Sequence, residues 1–251
     1  MNTYLAVDAE FAWDEHLFEA HRSIDRKSDR RTTAVKRVIA VAAYEFSVDE
    51  EGCVATGSIA AWTEYDWGLE AAVVYQLFDH LRSKGNTPIL TFGGAATDVP
   101  VLTLAATANG YRLPPQLVDQ PGRRGPRPHV DLALQLKGCG RTFTHLSQLL
   151  LRLGVPIELV SAKPAVTIPN SREEWQSLKN HVELDTLQLA IAKLAWLTAQ
   201  GAPGLWYDAG AIALIGGFLR RNPDHTATEP LIAYSCELER ECAERVALLA
   251  A

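Results

Sequence analysis

The 251-residue chain has no apolar run near the roughly 18 residues that a membrane-spanning helix needs. Its first residues, Met1-Asn2-Thr3-Tyr4, lack the basic and apolar segments of a secretory leader, so a cytoplasmic protein is the expectation. Cysteine is scarce. Cys53, Cys139, Cys236 and Cys242 show neither CxxC spacing nor neighbouring histidines, which excludes a zinc module and a disulfide scaffold. They read as free thiols, mostly buried. There is no internal repeat and no low-complexity tract. Aromatic residues make up 8%, and the six tryptophans read as core rather than as stacking platforms. Basic residues are in deficit, 24 against 30 acidic, and the net charge of -6 argues mildly against a polyanionic partner.

The 47% hydrophobic content, in turn, supports one large α/β domain, or one domain with an appendage. The charge is also uneven. Between Arg22 and Arg37 lie seven Lys or Arg against Asp25 and Asp29, a local net charge of +5. Such a run is commonly a solvated loop. Placed beside an acidic site, it would supply phosphate contacts through Arg26, Lys27, Arg30 and Arg31.

Along the chain, Tyr4 to Glu10 reads as a first strand, Val38 to Tyr44 as a second buried on both faces, and Cys53 to Thr63 as a third. Three consecutive strands suggest an antiparallel meander. From Asp66 the period becomes helical, with Leu69, Val73, Leu77 and Leu81 on one face and a stop at Gly85-Asn86. Pro88 to Phe92 is a fourth strand, left sharply at Gly93-Gly94. A helix opens at Asp98 and ends near Asn109-Gly110. A Pro, Gly and Arg-rich loop (Pro121 to Pro128, with Arg123 and Arg124) leads to His129-Val-Asp-Leu132 and a helix from Thr144 to Leu153. Ser171-Arg-Glu-Glu174 has the form of a capping box, starting a long helix that runs towards Gln200. Two further helices fill Gly201 to Ala251.

The chemistry lies in carboxylates. Side chains at i and i+2 of a strand share a face, so Asp8 and Glu10 project together and repel unless hydrated or neutralised by a cation. On the long helix Leu178, Val182 and Leu189 form an apolar stripe with Asp185 inside it, and His181 stands one turn earlier on the flank of that face. A buried carboxylate needs a partner. His181 and Asp185 either bond each other or serve one site. Asp98, at a strand-to-helix junction with Pro100 in the first turn, reads equally as capping chemistry, and Asp131 as a cap or loop anchor.

Asp8-Ala-Glu10, Thr91-Phe-Gly-Gly-Ala-Ala-Thr-Asp-Val-Pro-Val-Leu102 and His181-Val-Glu-Leu-Asp185 resemble, in order, the three motifs of the DEDD 3'-5' exonucleases. Within that superfamily the chain looks most like exonucleases related to the proofreading domain of family B DNA polymerases, over about residues 1 to 195. The resemblance implies a ribonuclease H-like α/β fold: a mixed five-stranded sheet, its first three strands antiparallel, flanked by helices. It implies a nuclease domain over 1-200, with 201-251 a helical extension packed on it.

It further implies two Mg2+ or Mn2+ ions held by Asp8, Glu10, Asp98 and Asp185, with His181 in the place of a catalytic tyrosine. The substrate would be the 3' end of single-stranded DNA or RNA. Arg26, Lys27, Arg30, Arg31, Arg123 and Arg124 are the candidate nucleic-acid contacts, and the C-terminal helices a surface for a protein partner or self-association. Three positions depart from the pattern: Gly93 stands for Asn, Thr97 for Phe, and His181 for Tyr at the same spacing of four. The alternative is a catalytically weak or inactive module of this fold that binds nucleic acid or protein.

Overall fold

A computed structural model describes residues 1-24, 31-118, 128-138, 140, 142, 144-160 and 167-250, without the side chains of 249 and 250. The chain begins with strand β1 (Asn2–Trp13), whose alternation sorts its side chains cleanly. Leu5, Val7, Ala9 and Phe11 enter one apolar cluster, whereas Ala6 and Ala12 belong to the opposite face, with Asp8 and Glu10 between them.

Helix α1 (Glu15–Ile24) follows, unmarked in the sequence, and its last residues, from Arg22, are the start of the basic run. Asp14 accepts the Leu17 N–H at 2.9 Å and caps it, and Phe18 is the one core residue of its span. A 3-10 turn (Thr33–Val35) leads into β2 (Lys36–Val48) and β3 (Val54–Thr63), both antiparallel. β2 runs several residues beyond its apolar centre at both ends.

Short α2 (Glu64–Trp67) is capped by Thr63 and ended by Gly68 at φ 85°. Leu69 is therefore the N-cap of α3 (Glu70–Ser83), 54% exposed rather than core, and the buried stripe is Val73, Val74, Leu77, Phe78 and Leu81. Next come β4 (Ile89–Thr91), α4 (Asp98–Asn109), β5 (His129–Asp131), α5 (Leu132–Lys137) and α6 (Leu146–Arg152). β4 lies parallel to β1, and β5 parallel to β4, giving the order β3-β2-β1-β4-β5. This is the expected ribonuclease H-like sheet.

Long α7 (Arg172–Ala199) starts at Ser171, whose hydroxyl accepts from Glu174 N. The return arm of the box is displaced by one residue: the Glu174 carboxylate accepts from Asn170 N at 2.7 Å. α7 lies across β1, β2 and β3 on one face of the sheet, while α3 and α4 cover the other. α8 (Tyr207–Arg221) and α9 (Thr228–Ala250) extend the α7 side, and the largest apolar cluster runs from Tyr44 and Phe46 on β2 through Leu187 and Leu194 to Leu214, Phe218 and Leu231.

The expectation that the six tryptophans form the core holds in part: Trp62, Trp175 and Trp196 pack half-buried against the core clusters, Trp13 is half-buried, and Trp67 and Trp206 are exposed. Aliphatic residues fill the flat sheet interfaces and leave the bulky indoles at the rims. The cysteines differ too. Cys53 and Cys236 are exposed and Cys242 half-exposed, because they sit on a turn before β3 and on the outer side of α9; Cys139 is outside the described residues. No described helix is long and apolar enough to cross a membrane.

Candidate active site

The carboxylates assemble where β4 ends beside β1: Leu5 and Ala6 pair with Ile89 and Leu90, so β4 stops just short of Asp8 while β1 runs on to Trp13. β1 delivers Asp8 and Glu10 towards α7, two residues before Ala12 packs with Leu178 and Val182. β4 stops at Thr91, and the chain turns through Gly93 at φ 78° to start α4 at Asp98, which is 9% exposed. A positive φ suits Gly, and next Asn, better than other residues, so Gly93 fits the turn without strain.

Gly94 is obligatory for another reason. A Cβ there would lie 2.6 Å from the Thr91 side chain and 2.7 Å from Asp98 Oδ2. Asp131, at the end of β5, pins the same turn: it accepts from Gly93 N and Ala95 N, each at 2.9 Å. It also caps α5 through Ala133 N at 3.0 Å and Leu134 N at 3.3 Å. The loop-anchor reading of Asp131 thus describes its geometry.

Asp8, Glu10, Asp98 and Asp185 all line one cavity of about 340 Å³. His181 stands beside it on α7, with Nε2 3.3 Å from Glu10 Oε1 and 3.5 Å from Asp185 Oδ2. It therefore bridges a strand and its own helix rather than serving Asp185 alone. Glu10, His181 and Asp185 offer ligand atoms all within 4.8 Å of one another. Four carboxylates in one half-buried cleft carry a like-charge repulsion that bulk water relieves only in part. Their hard oxygen donors match the coordination preference of Mg2+ or Mn2+, so the residue set fits divalent cations.

Other lining residues were not singled out from the sequence. Lys36, at the first position of β2, brings a cation to the carboxylate cavity; its signal was membership of the basic run. Thr144 and His145 close it from the approach to α6, where His145 is the N-cap and its N–H donates to Gln148 Oε1 at 3.0 Å. A histidine at a helix start carries no periodic signal. Thr97, noted in the sequence as a departure from the exonuclease motif it resembles, lines the cavity as well.

The basic candidates divide. Arg31 lies outside the cavity, paired with Glu15 at 2.8 Å and stacked over Trp13 and Phe18. Arg26, Lys27, Arg30, Arg123 and Arg124 are outside the described residues. A second set with metal-ligand spacing, Asp49, Glu51 and Cys53, is explained by a turn in which Asp49 Oδ1 accepts from Glu51 N and Cys53 N.

Comparison with known proteins returned no matching family model and no matching curated protein. Among solved structures the chain is similar to E. coli Exonuclease I in complex with a dT13 oligonucleotide, at 18% identity and a TM-score of 0.41, over 80% of this chain and 42% of that one. The same enzyme with dA16 gives 17% identity and 0.40, over 79% and 41%. An ExoI/SSB-Ct complex gives 15% and 0.38, over 80% and 43%. The chain thus spans less than half the length of each of these proteins.

Proposed function

We propose that the protein is a metal-dependent 3'-5' exonuclease of single-stranded nucleic acid, DNA foremost, of the kind related to polymerase proofreading domains. The observation that carries this reading is the convergence of Asp8, Glu10, Asp98 and Asp185, from three separate elements, on one cavity. Packing alone gives no reason to gather four mutually repelling carboxylates. When bound there, two divalent cations would offset that charge, polarise water and stabilise the leaving 3' oxygen of the shortened strand.

The chain's own residues do the rest. Asp8 and Glu10 are held rigidly by β1, and Asp98 by the turn that Asp131 anchors, so the donors are positioned before substrate arrives. Lys36, on the cavity wall, contacts the phosphate and offsets repulsion between substrate and carboxylates. His181 Nε2, between Glu10 and Asp185, orients the attacking water and takes its proton. Exposed thiols at Cys53 and Cys236 fit a reducing, cytoplasmic setting. On α9, exposed Ile232, Val246 and Leu248 offer the surface for a protein partner or a second copy.

The test is cleavage of a 3'-labelled oligonucleotide with Mg2+ or Mn2+, read against a 5'-labelled copy for polarity. Asp98→Asn and Asp185→Asn are expected to abolish cleavage while the metal-free melting temperature holds or rises, because each removes a like charge. His181→Ala should lose about 10 to 1000-fold, and His181→Tyr should stay active, since a phenol still orders water. Near-normal turnover in either Asn variant overturns the metal assignment. Oligonucleotide binding with no cleavage in the wild type would favour the binding-module alternative.

A further inference from the structure

Beyond Glu10 the first strand continues for three residues, and its pairing with β2 shifts register between Glu10 and Phe11. At this end of the strand, cations and aromatic rings alternate. Lys36, paired across the ladder with Trp13, holds Nζ 5.4 Å from the Phe11 ring and 5.5 Å from the Trp13 ring. Arg31 places its guanidinium 5.5 Å from Trp13 and 5.0 Å from Phe18.

Phe11 and Lys36 line the carboxylate cavity, whereas Ala12, Trp13, Glu15 and Arg31 line a second groove of about 550 Å³ with Thr167 and Ile168. β1 is the shared wall. We infer that this groove binds the nucleotides immediately 5' of the reacting phosphodiester, with Trp13 as a base-stacking platform and Lys36 and Arg31 as phosphate contacts. The inference rests on the exonuclease reading for which end of the strand enters the carboxylate cavity.

Three considerations favour a nucleic-acid strand in the groove. A base has a flat π-face that an indole can take, and Trp13 is only half-buried. An acidic peptide would satisfy the cations and leave the ring unused. Arg31 is tied to Glu15 by an ion pair whose partners are 37% and 57% exposed, a class of bond worth little in water. A phosphate can therefore displace Glu15 at small cost. Lastly, the cations continue outward along β1, Lys36 lining the carboxylate cavity and Arg31 the groove next to it, so a strand whose 3' end sits in the cavity would meet both.

The experiment measures fluorescence anisotropy of labelled oligo-dT of two, four and eight nucleotides on the full chain in EDTA, with cleavage in Mn2+ measured in parallel. Wild type should tighten as the oligonucleotide lengthens from two to four. Trp13→Ala should lose about 5 to 150-fold on the longer probes, the range of one lost base stack. Trp13→Phe should recover most of that loss. Lys36→Ser and Arg31→Ser should each flatten the log-log salt slope by about 0.7. In the cleavage arm, the Trp13→Ala defect should appear in KM rather than kcat.

Affinity independent of length, or Trp13→Ala and Arg31→Ser binding as wild type does, overturns the groove. Length-dependent, Trp13-dependent binding without any cleavage would sustain the groove and overturn the nuclease reading. Cleavage with KM unaffected by Trp13→Ala would do the reverse.

Discussion

Single side chains hold this site open from behind. Asp131 accepts four backbone N–H groups, two from the turn before α4 and two from the start of α5, so one carboxylate joins β5 to the placement of Asp98. Asp131→Ala should cost about 2 to 4 kcal/mol, the sum of a lost helix cap and stranded donors. It should also slow cleavage, because Asp98 is released. Gly94→Ala tests the same turn by steric means. The added methyl would meet Thr91 and Asp98 Oδ2 well inside van der Waals contact, so activity should fall more than stability. Paired urea melts and cleavage rates separate the two effects, and equal losses would mean that the turn merely packs.

Among the elements, α7 carries most of the conflicting demands. It supplies His181 and Asp185 to the site, yet it also lays a nearly continuous buried surface on the sheet, including Lys193 at 4% exposure. The Lys193 ammonium donates to Gln135 Oε1 at 3.2 Å and sits 5.3 Å from the Tyr4 ring. Burial pushes its pKa down to about 8. The folded state then holds fewer protons than the unfolded chain between about pH 8 and 10.5, so this group's contribution to stability rises with pH across that window and is lost as pH falls through it. Lys193→Met should therefore raise the melting temperature at pH 7, and its advantage should shrink as pH climbs to 10.5. A constant gap across pH would show that the ammonium is well solvated.

For the molecule as a whole, the C-terminal helices are packed parts of the fold. Gly217 brings the α8 backbone onto β3 so closely that a Cβ would lie 2.3 Å from Thr56 Oγ1, and Arg221 reinforces the contact by donating to Thr56 O at 3.1 Å. Arg245 on α9 pairs with buried Asp208 on α8 at 2.8 Å. Gly217→Val should separate α8 from the sheet and cost about 1 to 3 kcal/mol in urea unfolding, while kcat on a short oligonucleotide stays close to wild type. The carboxylate cavity is lined by none of these residues. A large activity loss at unchanged stability would instead tie the extension to substrate.

Local periodicity made part of this protein legible in its sequence. The two-residue repeat of a strand puts Asp8 and Glu10 on one face, the helical repeat aligns His181 with Asp185, and Ser171 and Gly110 mark helix ends where the structure has them. Periodicity names a face and leaves its neighbour open. That His181 reaches Glu10, that Asp131 grips the turn before Asp98, and that Lys36 meets Phe11 and Trp13 all depend on which strands pair and in what register. Helix α1 was obscured because one buried residue, Phe18, gives no repeat to detect. The sequence by itself thus determined the main strands, the longer helices and the residue types they carry, since those follow from spacing along the chain. Only the tertiary structure decided which groups share a cavity, because parallel pairing of β4 with β1 joins segments more than 80 residues apart, and no short-range rule encodes that closure.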